Sequence, residues 1–332
     1  MRKNLLIILS LIGILIILIF LSISLGSSAI SISDLFNFFS DRTEAERKII
    51  FDIRIPRILN AILVGASLSC SGIILQSLLR NNLAESGILG ISAGAGLGAI
   101  LVFLSPFSIP LFLLTPVSFI FAVVTTLIIF SLAKGLNSKY NNFLSSNKII
   151  LSGIAINALI SSFNGFLLII AGRNVSQIIY WLSGGLSGRG WTEFNITFGF
   201  IFIGLLFAIL LSKELNVLNL GDELSISLGL KIKNVQRASI VVSSLLAACA
   251  VSVAGIISFV GLVIPNISRL IIGSDNRYTI LCSILLGAIF LLLSDTIART
   301  IISPAEIPVG IVTSLIGAPV FIWLILRKKN ND

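Results

Sequence analysis

Apolar and polar positions alternate along this chain on the scale of whole segments. Runs of about 20 apolar residues, the length that crosses a hydrocarbon core of about 30 Å as a helix, are separated by short polar connections. In order they predict helices over Leu5–Leu25, Ile58–Leu79, Ile88–Leu104, Leu111–Ala133, Ile149–Ala171, Phe194–Leu211, Ala238–Val260, Val263–Ile272, Ile280–Thr300 and Val309–Leu326. This is an all-α pattern of about ten transmembrane helices. Val263–Ile272 is too short to cross alone as a straight helix, so it is expected to share its crossing with irregular backbone buried in protein. Leu5–Leu25 follows Arg2 and Lys3, exceeds the 7–15 residues typical of a signal-peptide core and lacks an Ala-x-Ala site; it reads as a retained helix. The most polar stretch, Ser27–Asp52, carries Asp34, Asp41, Arg42, Glu44, Glu46, Arg47 and Lys48 and is expected to hold a short surface helix.

The segment after Arg54 and Arg57 carries small residues on one face (Gly65, Ala66, Ser69, Gly72) and ends in Gln76 and Arg80. A second, glycine-dense segment follows with Gly87, Gly90, Gly94, Gly96 and Gly98. Small residues let helix backbones approach closely in lipid. The expectation is two tightly packed helices joined by the polar turn Asn81–Ser86. Gly72-Ile73-Ile74 and Gly255-Ile256-Ile257 sit at similar places in two small-residue segments, each leading to an arginine, Arg80 or Arg269. In the topology below these segments run in opposite directions, the pattern of an inverted repeat with a pathway near its interface; chance likeness of two Ala/Gly/Ser-rich helices is the alternative.

Composition places the chain in a bilayer: 56% hydrophobic, 11% charged and a mean hydropathy of +1.09 describe a polytopic membrane protein. The net charge of +9 sits mostly in connections, as membrane orientation requires, and argues for no nucleic-acid partner. With both termini cytoplasmic, Lys134, Lys139, Lys148, Lys213, Lys231, Lys233, Arg237, Arg277 and the Arg327-Lys328-Lys329 tail all face inside. Cys70, Cys249 and Cys282 lie in separate apolar runs without CxxC spacing, and histidine is absent. No metal site, disulfide framework, P-loop or catalytic constellation is indicated.

Two regions carry candidate chemistry. In the loop Ser212–Arg237, Leu220, Leu224, Ile226 and Leu228 alternate with Asp222, Glu223, Ser225 and Ser227, punctuated by Gly221 and Gly229. Two short helices offering an apolar knob to a soluble partner fit this pattern, as does a helix lying at the lipid interface. Arg54, Arg57, Arg299 and Glu306 fall at external helix ends, against the positive-inside trend, where exposed arginines suit forked pairing with a partner's carboxylates. Neutralisation within the chain is the alternative, with Asp295 and Arg299 at i, i+4 the expected pair.

An ordered set of motifs then resembles the FecCD family: Arg54-Ile-Pro-Arg57, Leu63-Val-Gly-Ala66, Gly72-x-x-x-Gln76, Arg80-Asn81-x-Leu83-Ala84, Leu89-Gly90 with Gly94-Ala95, Trp181-Leu-Ser-Gly184, Leu220-Gly221-Asp222-Glu223, Ser227-Leu-Gly-Leu230, Gly255-x-x-x-Phe259-x-Gly261-Leu262-Val263-x-Pro265, Arg269, Asp295-x-x-Ala298-Arg299, Glu306-Ile-Pro-Val-Gly310 and Gly317-Ala-Pro-Val-Phe321. These are membrane subunits of ABC importers for iron–siderophores, haem and cobalamin. The sequence departs from the family at Asn82, usually Pro, and at Asn266, usually His.

The resemblance implies a single permease domain over residues 1–332: a first helix and external loop (1–53), a first core half (54–211), a cytoplasmic coupling loop (212–237) and a second core half (238–332). It implies pairing with a second permease subunit, identical or paralogous, two cytoplasmic ATP-binding cassette subunits that hold the ATP and Mg, and an extracytoplasmic substrate-binding protein in a bacterial cell membrane. The chain itself would hold no cofactor or metal and would not be an enzyme. Arg54, Arg57 and Arg299, with Glu306, resemble docking residues for the binding protein. Leu220, Gly221, Asp222, Glu223, Leu224, Ser227, Leu228 and Gly229 resemble coupling helices. Ser69, Gly72, Gln76, Arg80, Asn81, Gly255, Pro265 and Asn266 are the expected translocation pathway for an iron chelate moved by alternating access. Rival readings are a secondary carrier or exporter acting without an ATPase, and a non-transporting scaffold.

Overall fold

In lipid a chain must satisfy its backbone internally, and every regular element among the described residues is helical. The computed structural model describes residues 2–25, 44–107, 110–135 and 145–329; Asp34, Asp41, Arg42 and Lys139 lie outside these. A one-turn helix, Glu44–Lys48, stands in the predicted surface stretch. The main helices are α1 (Arg2–Ser24), α2 (Ile55–Leu79), α3 (Ile91–Leu104), α4 (Leu114–Gly135), α5 (Ser146–Ile170), α6 (Val175–Leu182), α7 (Trp191–Leu210), α8 (Ser212–Leu218), α9 (Asp222–Ser227), α10 (Ile232–Ala254), α11 (Val260–Ile272), α12 (Asn276–Thr300) and α13 (Val309–Lys329). Eight helices reach spanning length, while α3 and α11 are shorter. Each of the ten predicted runs therefore holds a helix, but Ala238–Val260 is helical only to Ala254, because Gly255 breaks it. The amphipathic α6 was not foreseen, being too short to register as a span.

α2 is the axis of the bundle. A π-helical turn, Ile49–Arg54, feeds into it without a break, Pro56 sits in the first turn of α2, and the Phe51 carbonyl of the π-turn accepts from the Trp191 indole N–H (2.8 Å). α2 is buried along nearly its whole length against α12, α10, α11 and α7. Its small face explains how: a Cβ on Gly65 would overlap the Gly287 carbonyl of α12, and one on Gly72 the Gly261 carbonyl of α11. The glycines of α3 do not complete a pair with α2, as the sequence had suggested. Gly94 and Gly98 instead meet Phe121, Thr125 and Ser118 of α4. Each small-residue face needs a close backbone partner, and chain adjacency does not choose it.

The short run does share its crossing with irregular backbone. α10 ends at Ala254, Gly255 (φ 70°) and Phe259 (φ 69°) turn the chain, and α11 starts at Val260 with Pro265 inside it. The link meets the non-helical stretch after α6, which in turn holds the start of α13: the Gly185 N–H donates to Ala254 O (2.7 Å) and the Gly310 N–H to Gly184 O (3.0 Å). Cβ atoms on Gly184, Gly255 or Gly310 would strike the carbonyls of Ile256, Trp181 or Ser183. The register read between Gly72 and Gly255 is thus corrected. Gly72 lies inside a helix and Gly255 beyond the end of one.

Candidate functional site

At one end of the bundle Arg57 reaches from the first turn of α2 to two carboxylates. Its Nε and Nη2 donate to Asp295 of α12 (2.9–3.1 Å) and its Nη1 to both oxygens of Glu306 (2.9 and 3.0 Å). Burial pushes the Glu306 carboxyl up, but hydrogen bonds and charge from Arg57, with the Ser187 hydroxyl, leave it below its ordinary range. Asp295 is therefore taken by Arg57 rather than by the expected Arg299, whose single chain turn of separation offers no such fork. Arg299 donates from Nη2 to the Ser22 carbonyl and hydroxyl, and Arg54 donates from Nη1 to the carbonyls of Ile23 (2.5 Å) and Ser24 (3.2 Å). Two guanidinium groups thus close the C-terminal end of α1, where free carbonyls favour positive charge. The exposure expected of the arginines is also corrected: Arg54, Arg57 and Arg299 are buried, and only Glu306 is partly open.

The expected coupling loop forms α8 and α9. Leu220, Leu224, Ile226 and Leu228 are each more than half exposed, between left-handed turns at Gly221 (φ 109°) and Gly229 (φ 81°). Ser225, fully buried, fastens the two helices by donating to Val217 O (2.8 Å) and Gly221 O (2.6 Å). Ser227 donates to Leu224 O (2.8 Å), and Asp222 and Glu223 occupy the first turn of α9, where acidic groups are favoured. The loop is tied to the core by Arg80, which ends α2 in a left-handed conformation (φ 48°). Its Nε donates to Leu218 O (3.0 Å) and its Nη2 pairs with Asp222.

The residues expected along the pathway make close contacts within the bundle. Ser69 donates to Ser283 O of α12 (2.7 Å), and Gln76 donates to Gly261 O and Leu262 O (3.2 and 3.3 Å) while accepting from Arg269 (2.5 Å). Gly72 faces the Gly261 carbonyl, Gly255 faces Trp181 O, and Pro265 is buried within α11. Asn81 accepts from the Leu83 N–H (2.9 Å), and Asn266 donates to Asn82 O (3.0 Å). The two departures from the family pattern thus adjoin one another, and the backbone between them is held. Small residues mark close backbone contact as readily as a pore lining.

Open space lies elsewhere. A groove of about 650 Å³ runs along α5, lined by Glu85, Ser92, Asn157, Ser161, Asn164 and Ser258. A second, of about 600 Å³, follows α13 past Ser183, Gly310 and Ser314. Both share Leu182 of α6 with Ile256 and Ser258 of the broken link. Polar residues at 157, 161 and 164, on one face of an apolar run, were the available sequence signal. Among the described residues no cluster of His, Cys, Asp or Glu could hold a metal ion.

The model of the FecCD transport family matches residues 14–327. The chain belongs to the FecCD transport family. This FecCD chain is 37% identical over 318 residues to the hemin transport system permease HmuU of Yersinia pestis, covering 96% of this chain and 94% of the relative. It is 34% identical over 331 residues to the iron(3+)-hydroxamate import permease FhuG of Bacillus subtilis, covering 95% and 94%. A solved metal-chelate type ABC transporter in an inward-facing conformation superposes with a TM-score of 0.85 at 31% identity, covering 97% of this chain and 99% of that one. The FecCD chain is a multi-pass membrane permease of the ABC importer class, a transport subunit and not itself an enzyme.

Proposed function

We propose that this FecCD chain forms one half of the membrane pathway of an importer that passes an iron chelate to the cytoplasm, a ferric siderophore first and haem or cobalamin next. The observation that carries the reading is the pair of open grooves meeting at the broken link. They lie on the outside of the chain, so a second permease subunit, identical or paralogous, closes them into a passage. Relatives that carry hemin and ferric hydroxamate support an iron chelate as cargo. The exposed Leu220, Leu224, Ile226 and Leu228, in and beside α9, dock the ATPase subunits, which bind ATP and Mg, and both termini lie in the cytoplasm of a bacterial cell. The extracytoplasmic binding protein lands at the opposite end, where Arg54, Arg57, Arg299, Asp295 and Glu306 leave one more positive than negative charge.

The mechanism is alternating access. ATP-driven closure of the ATPases moves α9, the Arg80–Asp222 tie carries that motion to the end of α2, and the grooves open to one side at a time. The small hydroxyl and amide side chains of the grooves offer single hydrogen bonds to a bulky complex, which favours release over retention. The test is uptake of ferric siderophores, haem and cobalamin into vesicles holding the chain with its ATPase and binding protein. ATP-dependent uptake of one chelate, lost with an ATPase-dead partner, supports the reading. Uptake that persists with the dead ATPase assigns the chain to secondary carriage and overturns it.

A further inference from the structure

Beside α6 lies a further pocket, of about 420 Å³, whose wall includes Gln177, Tyr180 and Trp181. Its floor is the loop before α7, with Arg189 and Glu193. Two donors there lack acceptors: the indole N–H of Trp181, a residue 5% exposed, and the Nε–H of Arg189. The Arg189 guanidinium is itself nearly enclosed, and its ion pair with Glu193 is loose, at 3.8 Å. Glu193 is committed elsewhere, because its Oε2 accepts the Gly190 N–H (2.8 Å) as part of the cap on α7. Burial lowers the pKa of Arg189 and Glu193 only partly restores it. A buried guanidinium so weakly satisfied is costly unless acceptor oxygens reach it. A phosphate supplies them in the charge-assisted geometry that arginine prefers.

The rim argues for what carries that phosphate. Leu111 and Phe112 stand more than half exposed at the mouth, beside Phe103. Tyr180 in the wall, and Trp191 between the lining residues Gly190 and Thr192, are both more than a third exposed, amphipathic rings of the kind enriched where a helix bundle meets headgroups. We propose that this pocket binds the phosphate headgroup of an anionic phospholipid, with Arg189 and Trp181 as donors and the acyl chains over Leu111 and Phe112. The site rests only on the chain lying in a membrane, so it stands or falls separately from the transport reading.

Native mass spectrometry of the delipidated, purified chain offered phosphatidylglycerol, phosphatidylcholine or inorganic phosphate tests it. Phosphatidylglycerol is expected to be retained about tenfold over phosphatidylcholine, because both carry the phosphodiester but the choline cation of the second already neutralises its charge and would meet the Arg189 cation unfavourably. Arg189→Gln and Trp181→Phe each remove most of that preference, and Arg189→Lys keeps part of it; should Arg189→Gln not fold, the other two variants carry the test. Equal retention of the two lipids, or a preference unmoved by these substitutions, overturns the proposal. Competition by inorganic phosphate at equal concentration would keep the oxyanion site but overturn its assignment to lipid.

Discussion

Arg57 serves two carboxylates with one guanidinium, and the two are not equivalent. Asp295 is fully buried and takes the fork, whereas Glu306 is partly open and takes the remaining nitrogen. Asp295→Ala strands a buried cation and is expected to cost about 3–5 kcal/mol; Glu306→Gln keeps one hydrogen bond at the rim and costs about 1 kcal/mol or less. Thermal unfolding in detergent separates the two. Because the folded Glu306 carboxyl lies below its ordinary 4.5, its contribution is complete above that pH and fades as pH falls through the lower folded value. The wild-type and Glu306→Gln melting curves should therefore converge only below about pH 4.5. Gly72→Val forces a side chain against the Gly261 carbonyl, so the protein should fail to accumulate in the membrane; a well-folded, transport-dead variant would place Gly72 in the pathway. The sequence showed that Arg57, Asp295 and Glu306 were unusual. It could not show them meeting, since 238 and 249 residues separate the partners.

At the scale of elements, run length carried the reading: a bilayer sets how long a helix must be, so each of the ten predicted runs holds a helix. What length does not encode is neighbours. α3 lies against α4, the arginines close α1, and α6 escaped notice because its eight residues span nothing. The motif around Leu220 was legible as a loop with an apolar knob, but its tether was not, since 142 residues separate Arg80 from Asp222. Both partners of the tether are substantially exposed, so Asp222→Ala should change thermal stability by less than about 1 kcal/mol. It should nevertheless lower substrate uptake per ATP hydrolysed, and exchanging the two charges should restore part of it. Unchanged stoichiometry in Asp222→Ala would show that α9 moves α2 by another route.

For the molecule as a whole, the proposed function requires a second subunit to close the grooves along α5 and α13, and that pairing can be tested directly. The native cysteines are buried in separate helices, so a thiol introduced at Ser314, on the second groove, can be addressed without removing them. Cross-linking of Ser314→Cys with a short bismaleimide should give a species of twice the mass in membranes where the chain pairs with itself. Loss of that species on co-expression of a paralogous permease would identify the mixed pair.

The bare-backbone contacts also shape how this chain can drift. Gly65, Gly72, Gly184, Gly255 and Gly310 each sit on another segment's carbonyl, and every missense change in a glycine codon adds at least one carbon. A library of single-nucleotide variants should therefore show these five codons as silent-only positions. Gly13 and Gly199, where an added Cβ meets open space, should accept the apolar and small changes among these, Ala, Val, Ser and Cys, while the charged ones remain costly within a span. The architecture could thus be mapped by counting survivors.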